Sequence, residues 1–214
     1  MTAFRIIAAL ALIGLAAWIA RDLLRRMHSW KAAWQLLHRE VSASRAARHG
    51  GTAPAPLKDA LRRIIYVFAG AFLILLALSG FAPVLLMGAH VSGMLLVLHV
   101  TIAPLFALSL CALALFWAHR LRFNRSDLQV VRDIRHHATP EEEPLTRFML
   151  KCGFWTILLL SLPLMLTIIL SLFPIFGTEG EAMLIRLHGY SALLLLLAAV
   201  AEIHLTFVFM ARKE

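Results

Sequence analysis

Five long apolar stretches, separated by shorter polar segments, follow one another along the chain. They cover approximately residues 4–20, 64–88, 93–118, 150–174 and 184–210. An α-helix needs about 20 consecutive apolar residues to cross a bilayer, and these stretches have that length or come close to it. The pattern therefore predicts an all-α integral membrane protein with five transmembrane helices, the last four of which form a four-helix core.

The first stretch, 4–20, is short, and a signal peptide is the competing interpretation. The positive charges that flank a signal peptide precede it, whereas here Arg21, Arg25 and Arg26 follow the stretch and only Arg5 lies near its start. No small-residue cleavage site comes after it. We therefore expect a retained helix with its N-terminus outside.

Lysine and arginine lie between alternate stretches and so predict the topology. Apart from Arg5 and Arg186, all of them lie in 21–63, in 120–151 or in the last three residues. Membrane proteins concentrate Lys and Arg on the cytoplasmic side. These three basic regions are therefore predicted inside and the two short loops outside, which gives an N-out, C-in topology.

The segment 21–63 has a pattern of its own. Its first part, RDLLRRMHSWKAAWQLLHREV, places apolar residues and two tryptophans opposite Arg and Lys at helical spacing. A basic amphipathic helix of this kind is typical of the membrane interface; a docking surface for a cytoplasmic subunit is the alternative. We divide the chain into a first helix (1–20), this segment with its linker GGTAPAP (21–63) and the membrane core (64–214). The remaining inner loop, 119–149, is expected to be a solvated connector.

The composition is that of a membrane protein and limits the classes of partner that we expect. The 214 residues are 61% hydrophobic and 15% charged, against about 25% charged in soluble domains. The basic residues behind the net charge of +9 lie in the segments predicted to be inside. The expected partner is therefore the lipid bilayer with its anionic headgroups, and not nucleic acid. Neither cysteine, Cys111 nor Cys152, belongs to a CxxCH sequence, which excludes covalently attached c-type haem in this chain.

Four of the ten histidines are candidates for chemistry. His99 and His204 lie within continuous apolar sequence, His188 near the start of the last helix and His90 in the short outer turn before the third. A histidine inside a membrane needs a partner, and a hydrogen bond to a neighbouring helix would provide one. Histidines on two helices that run in the same direction favour axial ligation of haem iron instead. His119 and the remaining histidines are expected at the inner interface or in the inner loops.

Depth in the membrane bears on how the histidines pair. At 1.5 Å per residue, His99 lies about 31 Å and His188 about 36 Å above the inner basic residues, and these depths match. His204 lies only about 12 Å up, where the nearest histidine in depth is His119. The alternative combines His90 with His188 and His99 with His204 and requires tilted or offset helices. One haem or two are compatible with this pattern.

Two charged residues near these histidines are further candidates. Arg186 precedes His188 by two positions, and its guanidinium could bind a haem propionate near the outer surface; an interfacial anchor is the alternative. Glu202 precedes His204 by two positions within apolar sequence. Its carboxyl group is a candidate proton relay that exchanges protons with a quinol, or a hydrogen-bond partner of a histidine or of Thr206.

The last stretch, IRLHGYSALLLLLAAVAEIHLTF, resembles the final helix of membrane cytochrome b subunits, notably the gamma subunits of respiratory formate dehydrogenase and nitrate reductase. The likeness covers mainly 90–120 and 184–210. It implies a haem-binding core in which His188 is the outer and His204 the inner ligand of two haems. The pair His90 and His99 resembles the nitrate reductase type of partner helix, whereas the formate dehydrogenase type matches His99 alone. In the formate dehydrogenase type, a further haem ligand lies in the first core helix. The corresponding stretch of this chain, IIYVFAGAFLILLALSGFAPVLL, contains no histidine.

The predicted function is that of a b-type cytochrome in the cytoplasmic (inner) membrane of a prokaryote. It would transfer electrons between a quinone or quinol pool and a partner subunit, with haem b as its cofactor. The partner would be a periplasmic multihaem cytochrome or an iron–sulfur subunit, and the chain would be the electron-transfer subunit of a respiratory quinone oxidoreductase. The alternatives are a haem-free anchor or assembly subunit and a small proton-coupled transporter.

Overall fold

The computed structural model describes residues 2–25, 57–173 and 175–211, and every regular element in these ranges is a helix. The helices are α1 (Thr2–Arg25), α2 (Leu57–Ala82), α3 (Gly93–Trp117), α4 (Arg125–Arg135), α5 (Glu142–Ser171) and α6 (Gly177–Ala211), and α2 continues into one π-helical turn at Pro83–Met87.

Five of these helices, all except α4, are long and apolar enough to cross a membrane. The prediction of an all-α membrane fold with five spans is therefore confirmed. Large apolar side chains cover their outer surfaces; Leu108 is 66% exposed and Leu115 82% exposed. Helices that are apolar on all sides are typical of membrane spans, where lipid surrounds the outer faces.

The first helix is longer than its apolar stretch. α1 continues past residue 20 and ends at Arg25, so Asp22 belongs to the membrane helix and not to the basic segment that follows. Most of the predicted interfacial helix falls in 26–56, which lies outside the described residues. The chain resumes with α2 at Leu57.

The predicted connector 119–149 contains a helix, α4, which docks against α5. Its first turn is closed by a capping box: Asp127 N–H donates to the Asn124 side chain at 3.1 Å, and Asn124 N–H donates to Asp127 Oδ2 at 2.6 Å. Such a cap stabilises a helix by about 1 kcal/mol. Asp127 also forms a buried ion pair of 2.7 Å with Lys151 of α5, and Trp155 Nε1 donates to Leu121 O at 3.0 Å.

The four spans of the core form two antiparallel hairpins, α2 with α3 and α5 with α6. Phe106 and Leu110 of α3 pack with Leu195 of α6, which is only 1% exposed, and join the two hairpins. α1 lies beside this unit, where Ala8 packs with Phe81 and Leu193. In lipid such contacts stabilise through van der Waals packing, since the alternative surroundings of the side chains are equally apolar.

The bundle has two distinct ends. The turns at 88–92 and 172–176 lie at one end, here the turn end, and α4 lies at the other, here the α4 end. α1, α3 and α6 all run from the turn end to the α4 end. At the turn end α1 is attached to α2 because Arg5 Nε donates to Leu85 O at 3.0 Å. The basic residues of 120–135 lie at the α4 end, which the positive-inside rule predicts to be cytoplasmic.

Candidate functional site

His99 lies on α3 near the turn end and faces α2. Its Nδ1 is 2.8 Å from Ser79 Oγ, and Ser79 donates its only hydroxyl proton to Leu75 O at 2.7 Å. Ser79 Oγ thus lies within hydrogen-bond distance of both Leu75 O and His99 Nδ1. In the tautomer that carries its proton on Nδ1, the serine oxygen accepts from the imidazole and Nε2 keeps its lone pair.

His188 lies on α6, also near the turn end, and faces α5. Its Nδ1 is 3.0 Å from Leu164 O, a group that can only accept, so Nδ1 is the donor. Thr167 Oγ1 is 3.4 Å from the same nitrogen and donates its own proton back to Pro163 O at 2.8 Å. His188 Nδ1 therefore carries a proton, and in the neutral imidazole Nε2 keeps its lone pair.

The structure brings His99 and His188 to the same end of the bundle, within electrostatic range of each other. Within the described residues, neither Nε2 has a hydrogen-bond partner. Gly80 assists the approach of α3, because a β-carbon at Gly80 would lie only 3.2 Å from His99 Cε1. Histidines that bind metals through Nε2 commonly donate Nδ1–H to a carbonyl or another acceptor. His188 has this arrangement, and the Ser79 contact allows it for His99.

These two imidazoles fit the axial ligation of haem iron. Among the residues that the structure describes, no group of three or more His, Cys, Asp or Glu could hold a metal ion. Haem iron does not require such a group, because the porphyrin supplies the remaining ligands. The fit is chemical: two imidazoles on different helices, each with Nδ1 within hydrogen-bond distance of a group on a neighbouring helix.

The other residues predicted at the outer surface, His90 and Arg186, also lie at the turn end but are not part of the His99–His188 pair. His90 is exposed in the turn between α2 and α3, and Arg186 is exposed on α6, two residues before His188. His119 is exposed in the turn after α3, at the α4 end. The structure therefore brings neither His90 nor His119 into contact with another histidine in the described ranges.

His204 lies far from the other two, 16 residues beyond His188 and therefore about 24 Å further along α6. It is buried, and its Nε2 lies 3.0 Å from Asp22 Oδ2 of α1. The Trp18 ring meets the imidazole edge-on, with 5.0 Å between ring centroids. The nitrogen that would most readily bind iron is thus occupied by a carboxylate, and His204 faces α1. Its assignment as a haem ligand stays a prediction.

Glu202 lies in the interface of α6 with α5, in the half of the bundle nearer α4. Its Oε2 is buried and has no hydrogen-bond partner in the described part of the chain. The carboxyl group occupies the space above Gly153, where a β-carbon would overlap it. The structure therefore packs the carboxyl group of Glu202, the predicted proton relay, against Gly153 and apart from the His99–His188 pair.

Three residues that complete these environments were not predicted from the sequence: Ser79, Thr167 and Asp22. A serine or threonine within an apolar stretch usually bonds to its own helix backbone, and nothing in the sequence indicates that an imidazole of another helix also lies there. Asp22 did carry a signal, since it is an acidic residue within a basic run at the end of the first stretch.

No family model matches the chain, and no curated protein or solved structure matches it.

Proposed function

We propose that the protein is a membrane-embedded b-type cytochrome that transfers electrons between a quinone pool and a partner redox protein. One observation carries the proposal: His99 and His188 lie at the same end of the bundle, with Nδ1 held by Ser79 and by Leu164 O respectively. Two imidazoles oriented in this way, on two helices, would be suited to hold haem iron through Nε2.

Each residue of the site has a defined task in this proposal. His99 and His188 would hold the iron through Nε2, and their Nδ1 contacts orient the rings. Arg186, exposed two residues before His188, supplies a guanidinium that can bind a propionate at the membrane surface. A haem held here would supply one-electron redox chemistry.

The proposal assigns one haem to the described part of the chain. A second haem at His204 would need another axial ligand at that depth, and the described residues place Asp22 and Trp18 against it. We therefore propose that His204 connects helices through its hydrogen bond to Asp22.

The location and partner follow from the same reasoning. We place the α4 end in the cytoplasm of a prokaryotic cell, because the basic residues lie there. The His99–His188 pair then lies near the periplasmic surface, where a multihaem cytochrome or an iron–sulfur subunit can exchange electrons with it. The centre for any other substrate lies in that partner.

The experiment is reduction of the purified protein by a quinol in proteoliposomes, followed by its visible spectrum. We expect the sharp alpha band of reduced b-type haem in the wild type and its loss in His99→Ala. The matched control is His90→Ala, which removes an exposed histidine at the same end and should keep the full band. A wild-type protein without the band would favour a haem-free anchor or a transporter; a band unchanged in His99→Ala would exclude the proposed ligand pair.

A further inference from the structure

α4 has a face of large apolar side chains that stays exposed among the described parts of the chain. Leu128, Val131 and Ile134 follow one another at steps of three residues and therefore share one face of the helix. Leu128 is 59% exposed, Val131 44% and Ile134 49%. The face borders the buried side of α4, where Val130 is only 3% exposed. An exposed apolar patch of this kind marks a surface that something else covers.

Two contacts fix the depth of α4 along α5. Lys151 Nζ donates to Asp127 Oδ2 at 2.7 Å, and both side chains are largely buried. Trp155 Nε1 donates to Leu121 O, in the turn before α4, at 3.0 Å. Lys151 and Trp155 belong to the first residues of the apolar stretch that begins at 150. α4 is therefore held level with the start of the hydrocarbon region, where tryptophan is common.

Three arginines line one edge of the apolar face. Arg125, Arg132 and Arg135 lie three, four and seven residues from Leu128, and these are the spacings of neighbours on a helix surface. All three are exposed, and none has an ion-pair or hydrogen-bond partner for its side chain in the described ranges. The acidic residues of α4 do not balance them at the surface, because Asp127 is buried and Asp133 is half-buried. The exposed charge of α4 is thus positive.

An apolar face beside a row of arginines, at the depth where the hydrocarbon begins, fits the surface of a bilayer. Apolar side chains of an interfacial helix enter the boundary between headgroups and acyl chains. The stems of arginine side chains can lie along apolar surface while their guanidinium groups reach the phosphates. A soluble partner protein would approach from the aqueous side, where α4 presents Gln129, which is exposed and turned away from Val131 by about 160°.

We propose that α4 is an interfacial helix that binds anionic phospholipids at the membrane surface of the α4 end. Leu128, Val131 and Ile134 lie in the outer part of the acyl layer, and the three arginines bind headgroup phosphates. This proposal goes beyond the proposed function and does not depend on haem, because it uses only α4 and its contacts with α5.

The test is quenching of a bimane label attached to Val131→Cys in a chain that also carries Cys111→Ala and Cys152→Ala. The protein is reconstituted in vesicles of equal parts phosphatidylcholine and phosphatidylglycerol. Gln129→Cys in the same background is the matched control, since residue 129 lies on the same turns of the helix and on the opposite side. We expect brominated phospholipids to quench the label at 131 several-fold more than the label at 129, and iodide in the water to do the reverse.

Two results of this measurement would overturn the proposal. Equal quenching of both labels by iodide would mean that α4 is a solvated connector. Protection of residue 131 from both quenchers would mean that protein, and not lipid, covers the apolar face.

The role of the arginines is tested with the label at 131 and bromine on one lipid at a time. Brominated phosphatidylglycerol should quench several-fold more than brominated phosphatidylcholine, and the combined variant Arg125→Gln, Arg132→Gln and Arg135→Gln should remove this preference. Arg147→Gln is the control and should keep it, because the Arg147 guanidinium is paired with Glu143. Equal quenching by the two lipids before substitution, or an unchanged preference in the combined variant, would contradict the proposed binding of anionic phospholipids.

Haem content measured in the same preparations separates this proposal from the proposed function. A protein without haem in which lipid quenches residue 131 would contradict the cytochrome and support the interfacial helix. A protein with haem in which iodide quenches both labels equally would do the reverse.

Discussion

Two histidines on one helix, His188 and His204, lie in similar apolar sequence and have opposite environments. His188 donates Nδ1–H to a backbone carbonyl of α5 and keeps Nε2 available near His99. His204 uses Nε2 to contact Asp22 of α1 at 3.0 Å. The difference arises from the neighbouring helix, since α5 offers a carbonyl and α1 offers a carboxylate.

This comparison teaches that burial of a histidine in a membrane helix does not by itself indicate a ligand. An imidazole in hydrocarbon needs a partner, and the kind of partner decides its chemistry. A carbonyl at Nδ1 fixes the tautomer that metals need, whereas a carboxylate at Nε2 occupies the metal-binding nitrogen and connects two helices.

Alanine variants of the two histidines should give the largest difference. His188→Ala is expected to lose nearly all haem because it removes a proposed iron ligand, whereas His204→Ala should retain haem and weaken the attachment of α1. Haem per chain, measured on purified protein by the pyridine haemochromogen method, checks this. Loss of haem from His204→Ala together with full retention in His188→Ala would reverse the assignments.

Asp22→Asn tests whether the contact between His204 and Asp22 holds α1 against α6. The substitution removes the charge from a largely buried contact with His204, and a hydrogen bond to a charged group contributes about 1.5–3 kcal/mol. We expect the free energy of unfolding to fall by about that amount, without loss of haem. Trp18, whose ring contacts His204, provides a fluorescence signal for a detergent unfolding titration.

The control for that titration is Glu143→Gln, which removes an exposed ion pair with Arg147. Exposed pairs contribute about 0–1 kcal/mol, so the expected change is small. If Asp22→Asn proves no less stable than this control, the Asp22–His204 contact does not hold α1.

Ser79→Ala should have a smaller effect, on the potential and not on haem content. In the proposed haem site, an acceptor at Nδ1 would make His99 a more basic ligand and favour ferric iron. Its removal is expected to raise the midpoint potential by roughly 20–60 mV, which corresponds to a hydrogen bond of about 0.5–1.5 kcal/mol. A spectroelectrochemical titration measures the shift, and a lowered potential would be inconsistent with the proposed tautomer of His99.

Thr167→Val should give the smallest effect. The Thr167 hydroxyl is 3.4 Å from His188 Nδ1, and Leu164 O at 3.0 Å remains as acceptor in the variant. The potential is therefore expected to change by less than in Ser79→Ala, in the same titration. A larger change would mean that the hydroxyl, and not the carbonyl, orients His188.

The spans could be predicted from the sequence because the length of an apolar stretch alone determines whether it crosses a bilayer. α4 was missed because it is short and polar; its cap, Asn124 with Asp127, is visible in the sequence, but such caps also occur in loops. That His99 and His188 lie toward the same end of the bundle was also predictable, since rise per residue is fixed in a helix.

The lateral contacts could not be predicted in the same way. Whether His204 faces α1 or the four-helix core depends on how α1 packs, and the two choices have the same hydrophobic pattern. Asp22 was assigned to the basic segment because the apolar stretch ends before it. Ser79 reaches His99 only because α2 and α3 form a hairpin with a close approach at Gly80.

The most direct test of the account is the number of haem groups per chain in the purified wild-type protein. One haem b per chain is the predicted result, with loss of that haem in both His99→Ala and His188→Ala. A protein without haem, or one with two haems of which one is lost in His204→Ala, would contradict it.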